Sequence, residues 1–164
     1  MKKILILLLV FCLCGCQNNV TQEESSSERY LDMISLIKNN EVFLDRSAYF
    51  DVEIEVAKID EGYRYYVIVD NPVIASYDVE VMAIEMGVDY SKKMAATIGI
   101  FDETEYSLIP NQSNPDKGFM EGLIASGMSD RDSVTLYILI QWKSKDMSVT
   151  YREYLKLQGS YLGE

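Results

Sequence analysis

The chain reads as a mainly β protein, an antiparallel β-sandwich preceded by one short α-helix, on three observations. From Ala48 onward apolar residues recur with a period of two. Turn residues break that pattern every eight to twelve residues, the spacing of a sandwich or barrel. One earlier segment, Glu28–Asn39, keeps a helical period instead.

The helix is marked at both ends. Ser25 with Glu28 matches a capping box, Ser27 is a plain cap, and Asn39-Asn40 is a natural stop. Tyr30, Ile34 and Ile37 fall at i, i+4 and i+7, Met33 joins them, and Leu31 and Leu36 widen the stripe. About three turns are marginal alone, so this helix is expected to lean on the domain that follows.

In the first strand, Phe50, Val52, Ile54 and Val56 alternate with Asp51, Glu53 and Glu55, giving an acidic outer face. Tyr63, Tyr65, Val67 and Val69 line one face of the second. A two-residue loop at Glu61-Gly62 would set Asp60 opposite Tyr63, Val56 opposite Val67 and Ile54 opposite Val69. Asp70-Asn71-Pro72 stops that strand, since proline lacks the ladder donor. Further candidates are Ser76–Glu85, Ala95–Phe101, Glu105–Ile109, Phe119–Ser126, Ser133–Lys143 and Ser148–Leu157. Turns are expected at Met86-Gly87, Asp102-Glu103, Pro110–Gly118, Gly127–Asp132 and Lys143–Asp146. Ser133–Lys143 is apolar on both faces and reads as a central strand. An α+β fold is the alternative, because the spacing of Phe119, Met120, Leu123 and Ile124 permits a helical turn. The strand ending in Val69-Asp70-Asn71-Pro72 and the alternation Val79, Val81, Ala83 resemble immunoglobulin-like or fibronectin-like modules. That resemblance implies an immunoglobulin-like β-sandwich over about Ala48–Leu157, without the antibody-type Cys…Trp…Cys core.

The N-terminus carries an address. Lys2 and Lys3 precede ten apolar residues, Ile4–Leu13, too few for a membrane-spanning helix, which needs roughly 20, and suited to a signal-peptide core. Leu13-Cys14-Gly15-Cys16 resembles the lipobox of bacterial lipoproteins, with Cys14 where Ala, Ser or Thr is commoner. The resemblance implies cleavage before Cys16 and a diacylglycerol thioether on that residue, the only cysteine that fits. Four regions follow: a signal peptide at 1–15, the lipidated Cys16 and a flexible tether through 27, the helix and its connection at 28–44, and the sandwich at 45–164. The tether segment Gln17–Ser27 is polar and ends in three serines.

Composition excludes several chemistries. There is no histidine, hence no imidazole base and no His-ligated metal. Cys12 and Cys14 would leave with the signal, so the mature chain would have neither a free thiol nor a disulfide. Loss of Lys2 and Lys3 leaves 13 Lys+Arg against 26 Asp+Glu, a mature net charge of −13. So acidic a chain has no basic patch for nucleic acid, and anionic headgroups repel it. Membrane attachment then falls to the acyl chains on Cys16.

The remaining motifs are weak. Ser35-Leu36-Ile37-Lys38 matches the Ser-x-x-Lys nucleophile pattern and Ser129-Asp130-Arg131 a degraded Ser-Asp-Asn, but no Lys-Thr-Gly follows. The 26 carboxylates make close pairs inevitable, so a glycosidase pair is not singled out. Asp102, Glu103 and Glu105, and separately Asp130 and Asp132, could offer Ca²⁺ ligands but lack EF-hand spacing. The twelve tyrosines are the most suggestive feature. Most should pack within sheets, but Tyr65 and Tyr66 must point to opposite faces, and Tyr137, Tyr151 and Tyr154 fall on neighbouring strands. No catalytic residue, cofactor or metal ligand is expected. The function expected is that of a membrane-anchored, extracytoplasmic, non-catalytic lipoprotein presenting its sandwich to an envelope protein or glycan. A structural or assembly subunit is the first alternative, a solute-binding or hydrolytic lipoprotein using carboxylates the second.

Overall fold

The computed structural model describes residues 22–163. Cys16, the expected signal segment and the start of the expected tether lie outside them.

Helix α1 spans Gln22–Asn39, so the last six residues of the expected tether are helical. Ser26 is buried one turn before Tyr30, so the contact stripe begins earlier than the apolar pattern shows. Packing against the body outweighs serine's indifferent propensity there. Tyr30, Met33, Ile34 and Ile37 are buried, Leu36 is half-buried, and Leu31 faces solvent instead of widening the stripe.

Nine strands follow: β1 (Asp51–Ile59), β2 (Gly62–Asp70), β3 (Tyr77–Ile84), β4 (Ala96–Ile98), β5 (Ser107–Leu108), β6 (Phe119–Met120), β7 (Gly122–Ser129), β8 (Ser133–Lys143) and β9 (Thr150–Ser160). They form an antiparallel sheet β1-β2-β7, an antiparallel sheet β4-β3-β8-β9 and a short parallel pair β5-β6. Val67, Val69, Val81, Leu136, Ile138 and Leu155 are among the residues that fill the space between the two large sheets. Helix α1 covers the outer face of the four-stranded sheet, seating Met33 and Ile37 among Met82, Ile84, Leu139 and Ile100. This second core explains why β8 is apolar on both faces, and β8 is central as expected.

The β1–β2 register differs from expectation. Ile59 pairs with Gly62, Val56 with Tyr65, Ile54 with Val67 and Val52 with Val69. The loop is therefore Asp60-Glu61, and the positive φ of +113° falls on Gly62. That is the turn-plus-bulge solution, and it preserves which residues face inward. The expected strand Phe119–Ser126 is split into β6 and β7, and the only helical turn nearby is a 3₁₀ turn at Pro115–Lys117. Strand β7 continues through Gly127, where a turn was expected, paired with Tyr65 of β2; the residue is glycine there because the Tyr65 phenol occupies the space a Cβ would need. Strand β4 stops at Gly99, whose φ is +86° and which abuts the Val79 carbonyl.

The two sheets approach at both sides, β4 beside β7 and β1 beside β9, where Gly159 makes room for Ile54 and Val56. The segment from Leu44 to Phe50 runs along β9. Its anchors are Leu44 N–H to the Tyr154 carbonyl (2.9 Å), Lys156 N–H to the Leu44 carbonyl (2.9 Å), and the Glu153 carboxylate, which accepts from Ala48 N–H (3.1 Å) and the Ser47 hydroxyl.

Candidate functional site

The most distinctive surface is one pole of the sandwich, built from four separate chain segments. The β8–β9 register places Trp142 opposite Tyr151, and the Tyr151 ring stacks on the indole at 5.8 Å and 22°. Tyr49 and Phe50 approach the same indole edge-on, at 5.4 Å and 5.2 Å. Tyr49 also accepts a hydrogen bond at its carbonyl from Val73 N–H (2.8 Å), which ties the β2–β3 loop to this cluster. Trp142 is buried, and its Nε1 has no hydrogen-bond partner.

The β8–β9 loop is held by local polar bonds. Asp146 accepts from the hydroxyls of Ser144 (2.6 Å) and Ser148 (2.8 Å), which hold its carboxyl below the usual range. Ser144 N–H donates to the Val149 carbonyl (2.9 Å), and Met147 sits at the tip with a φ of +60°. Tyr49, Val73, Ile74, Met147, Val149 and Tyr151 thereby form an apolar pole, each between 37% and 68% exposed. Aliphatic side chains on ordered loop tips are a feature that core packing does not require.

A second open surface is the outer face of β1-β2-β7, opposite the side that α1 covers. Across it run the rows Glu53–Ile68–Ile124, Glu55–Tyr66–Ser126 and Ala57–Arg64–Met128. Ile124 and Met128 are exposed and Tyr66 and Ile68 half-buried, bordered by the acidic column Asp51, Glu53 and Glu55.

The buried ionisable groups serve as clamps. Glu80 pairs with Arg29 of α1 at 2.7 Å and accepts from Gln141 at 2.8 Å; burial raises its carboxyl. Lys143 pairs with Asp78 at 2.6 Å, a hydrogen bond that holds its ammonium above the ordinary range. Glu85 pairs with Arg131. Tyr90 accepts from Glu85 N–H at 2.7 Å, and burial raises the phenols of Tyr65 and Tyr90. These groups are spent on one another and on the backbone.

The residues singled out by motif are dispersed. Ser35 lies exposed on α1, where it accepts from Asn39 Nδ2 (3.2 Å). Ser129 lies at the end of β7, 3.5 Å from the Glu85 carboxylate. Asp102 accepts from Gly99 N–H (2.6 Å) and the Tyr106 hydroxyl (3.3 Å), while Glu103, Glu105, Asp130 and Asp132 are exposed. Among the described residues no three Cys, Asp or Glu side chains gather in a metal-holding group. Of the tyrosines, Tyr65 enters the core and Tyr66 the outer face, as expected. Tyr137 and Tyr154 pack on Phe43, and Tyr151 reaches the pole. The pole's aliphatic members had a faint signal: Val73-Ile74 and Met147…Val149 place apolar residues inside turn segments.

No protein-family model matches the chain, and no match was found among curated proteins or solved structures. No helix among the described residues is long and apolar enough to cross a membrane.

Proposed function

We propose that this chain is a membrane-anchored extracytoplasmic lipoprotein, non-catalytic, whose sandwich binds a protein or glycan at the cell envelope. The lipobox Leu13-Cys14-Gly15-Cys16 supports the anchor. One surface carries the binding half: the open face of β1-β2-β7, where exposed apolar residues lie beside an acidic column. Large apolar residues on a solvated sheet face cost solubility and gain from a partner. The acidic column selects a cationic rim on that partner and disfavours anionic ones.

The strand order supports an immunoglobulin-like or fibronectin-like assignment. Counting β1, β2, β3, β4, β7, β8 and β9 as A, B, C, C′, E, F and G, the sheets read A-B-E and C′-C-F-G. The single tryptophan lies on the F-equivalent strand rather than on C, a departure from antibody domains.

Two measurements test the reading. Metabolic labelling with palmitate is expected to mark the wild-type chain and to be lost in Cys16→Ala; equal labelling of both contradicts the anchor. Envelope components retained by the wild-type chain are expected to be lost with Ile124→Asp, and retention by both contradicts binding on this sheet face.

A further inference from the structure

We propose that the part of the β8–β9 outer face left uncovered by α1 is a binding site for an acidic saccharide, a sugar ring bearing one carboxylate. The site is separate from the open face of β1-β2-β7 and does not depend on the lipid anchor. It begins where the cover of the sheet ends. On the outer face of the four-stranded sheet Leu139 lies in the core under α1, and Tyr137 and Tyr154 pack on Phe43. Beyond them the cross-strand partners turn polar: Tyr137 is opposite Lys156, Thr135 opposite Gln158 and Ser133 opposite Ser160. These β8 and β9 side chains, with Glu85 past the end of β3 and Arg131 of the β7–β8 loop, enclose a recess of about 290 Å³. Ligand pockets run from roughly 300 to 1,000 Å³, so the recess is sized for a small ligand such as a single sugar ring.

Its charges are positioned in advance. Glu85 is 2% exposed, and its Oε2 accepts from the Arg131 guanidinium and from the Ser129 hydroxyl (3.5 Å). The ion pair neutralises the carboxylate and fixes the guanidinium, whose side chain is 64% exposed and keeps further N–H groups to donate. Both bonds fall on Oε2, so Glu85 Oε1 remains an acceptor without a donor among the described residues. The Lys156 ammonium lies 5.3 Å from the Tyr137 ring centroid, a cation–π contact that holds it at the recess. Among the described residues no carboxylate pairs with Lys156. The recess therefore carries one uncompensated positive charge in a chain of net charge −11. Asp130 and Asp132 flank Arg131 in the chain but do not line the recess.

One uncompensated cation calls for one anionic group, and a carboxylate takes an ammonium and a guanidinium by charge-assisted hydrogen bonds. A bare carboxylate or phosphate would leave the other groups idle. Glu85 Oε1 and the Gln158 carbonyl need donors, while the Gln158 amide and the Thr135 hydroxyl have protons to give. Ser133 accepts from the Ser160 hydroxyl (3.1 Å), which leaves its own proton for a ligand. Sugar hydroxyls both donate and accept, and so match this mixed set. Lys156 covers the Tyr137 ring face, so the sugar is held through its polar groups and not by stacking.

Saturation-transfer NMR titrations on the full-length protein, extracted from membranes in detergent, test the site. The probes are the methyl glycosides of glucuronic, galacturonic and mannuronic acid, with methyl glucoside, acetate and inorganic phosphate for comparison. At least one uronide is expected to bind about tenfold more tightly than methyl glucoside, acetate or phosphate. Lys156→Met, at an exposed position, is expected to weaken that uronide about tenfold and Gln158→Ala about fivefold. Ile124→Asp, on the open face of β1-β2-β7, is expected to leave it unchanged. Binding of no uronide overturns the inference. Acetate or phosphate binding as tightly as the uronide overturns it too, because charge alone is then recognised. Equal affinity in Lys156→Met and the wild-type chain has the same consequence. Loss in Ile124→Asp with retention in Lys156→Met overturns this site and supports the open sheet face as the glycan-binding surface.

Discussion

Removing the Arg29 guanidinium (R29A) strands the Glu80 carboxylate. Glu80 is 2% exposed and Arg29 41%, at 2.7 Å, and the pair joins the helix to the four-stranded sheet. Breaking a buried pair from one side costs 3–5 kcal/mol, and the partial exposure of Arg29 places this one at the lower end, about 3 kcal/mol. With a urea dependence of about 1–3 kcal/mol per molar, the midpoint falls by roughly 1–3 M. Trp142 fluorescence follows the transition. The loss depends on pH in a defined direction. Burial already raises Glu80 above its unfolded value, so its contribution to stability is fully present below that value and is lost as pH rises through the folded value. The Arg29 charge is the largest effect opposing that rise. Without it the carboxyl holds its proton to higher pH, and R29A is closest to wild type in mild acid and furthest from it above neutrality. Glu80→Gln in the R29A background recovers part of the loss at neutral pH, because no buried charge remains. A loss under about 0.5 kcal/mol, the size of a surface pair, or one equal at pH 5 and pH 8, would refute the clamp.

Three further outcomes are expected. Ile37→Ala, at a fully buried helix position, costs about 2–5 kcal/mol by urea denaturation, whereas Leu31→Ala on the exposed side of the same helix is near neutral. Gly159→Ala places a methyl group into Ile54 and Val56 where β9 meets β1, and lowers stability by about 1–3 kcal/mol in the same assay. Tyr90→Phe leaves the Glu85 amide without its acceptor, costing about 1–3 kcal/mol; in the wild-type protein an alkaline absorbance titration shows Tyr65 and Tyr90 ionising above the ordinary phenol range.

Where local pattern and burial agree, the sequence was legible. Strand β8 has the bounds its alternation indicates, because both faces are filled and the turns on either side are polar. The β1–β2 pairing missed its register because Gly62 can serve either inside the loop or just after it, and only the positive φ decides. Gly127 looked like a turn residue because its reason for being there, the Tyr65 ring, comes from another strand. The start of α1 was hidden for a similar reason, since Ser26 is held by the body and not by its own propensity. The pole was the least legible feature. The Trp142–Tyr151 pair follows from the β8–β9 hairpin register, but Tyr49 and Val73 meet it through tertiary folding that no local spacing encodes.

The proposed lipid attachment at Cys16 is tested most directly by intact-mass analysis of the protein purified from its own cell membranes. The expected species begins at Cys16, lacks residues 1–15 and carries the added mass of a diacylglycerol. An unmodified chain, or one cut at another residue, would contradict it.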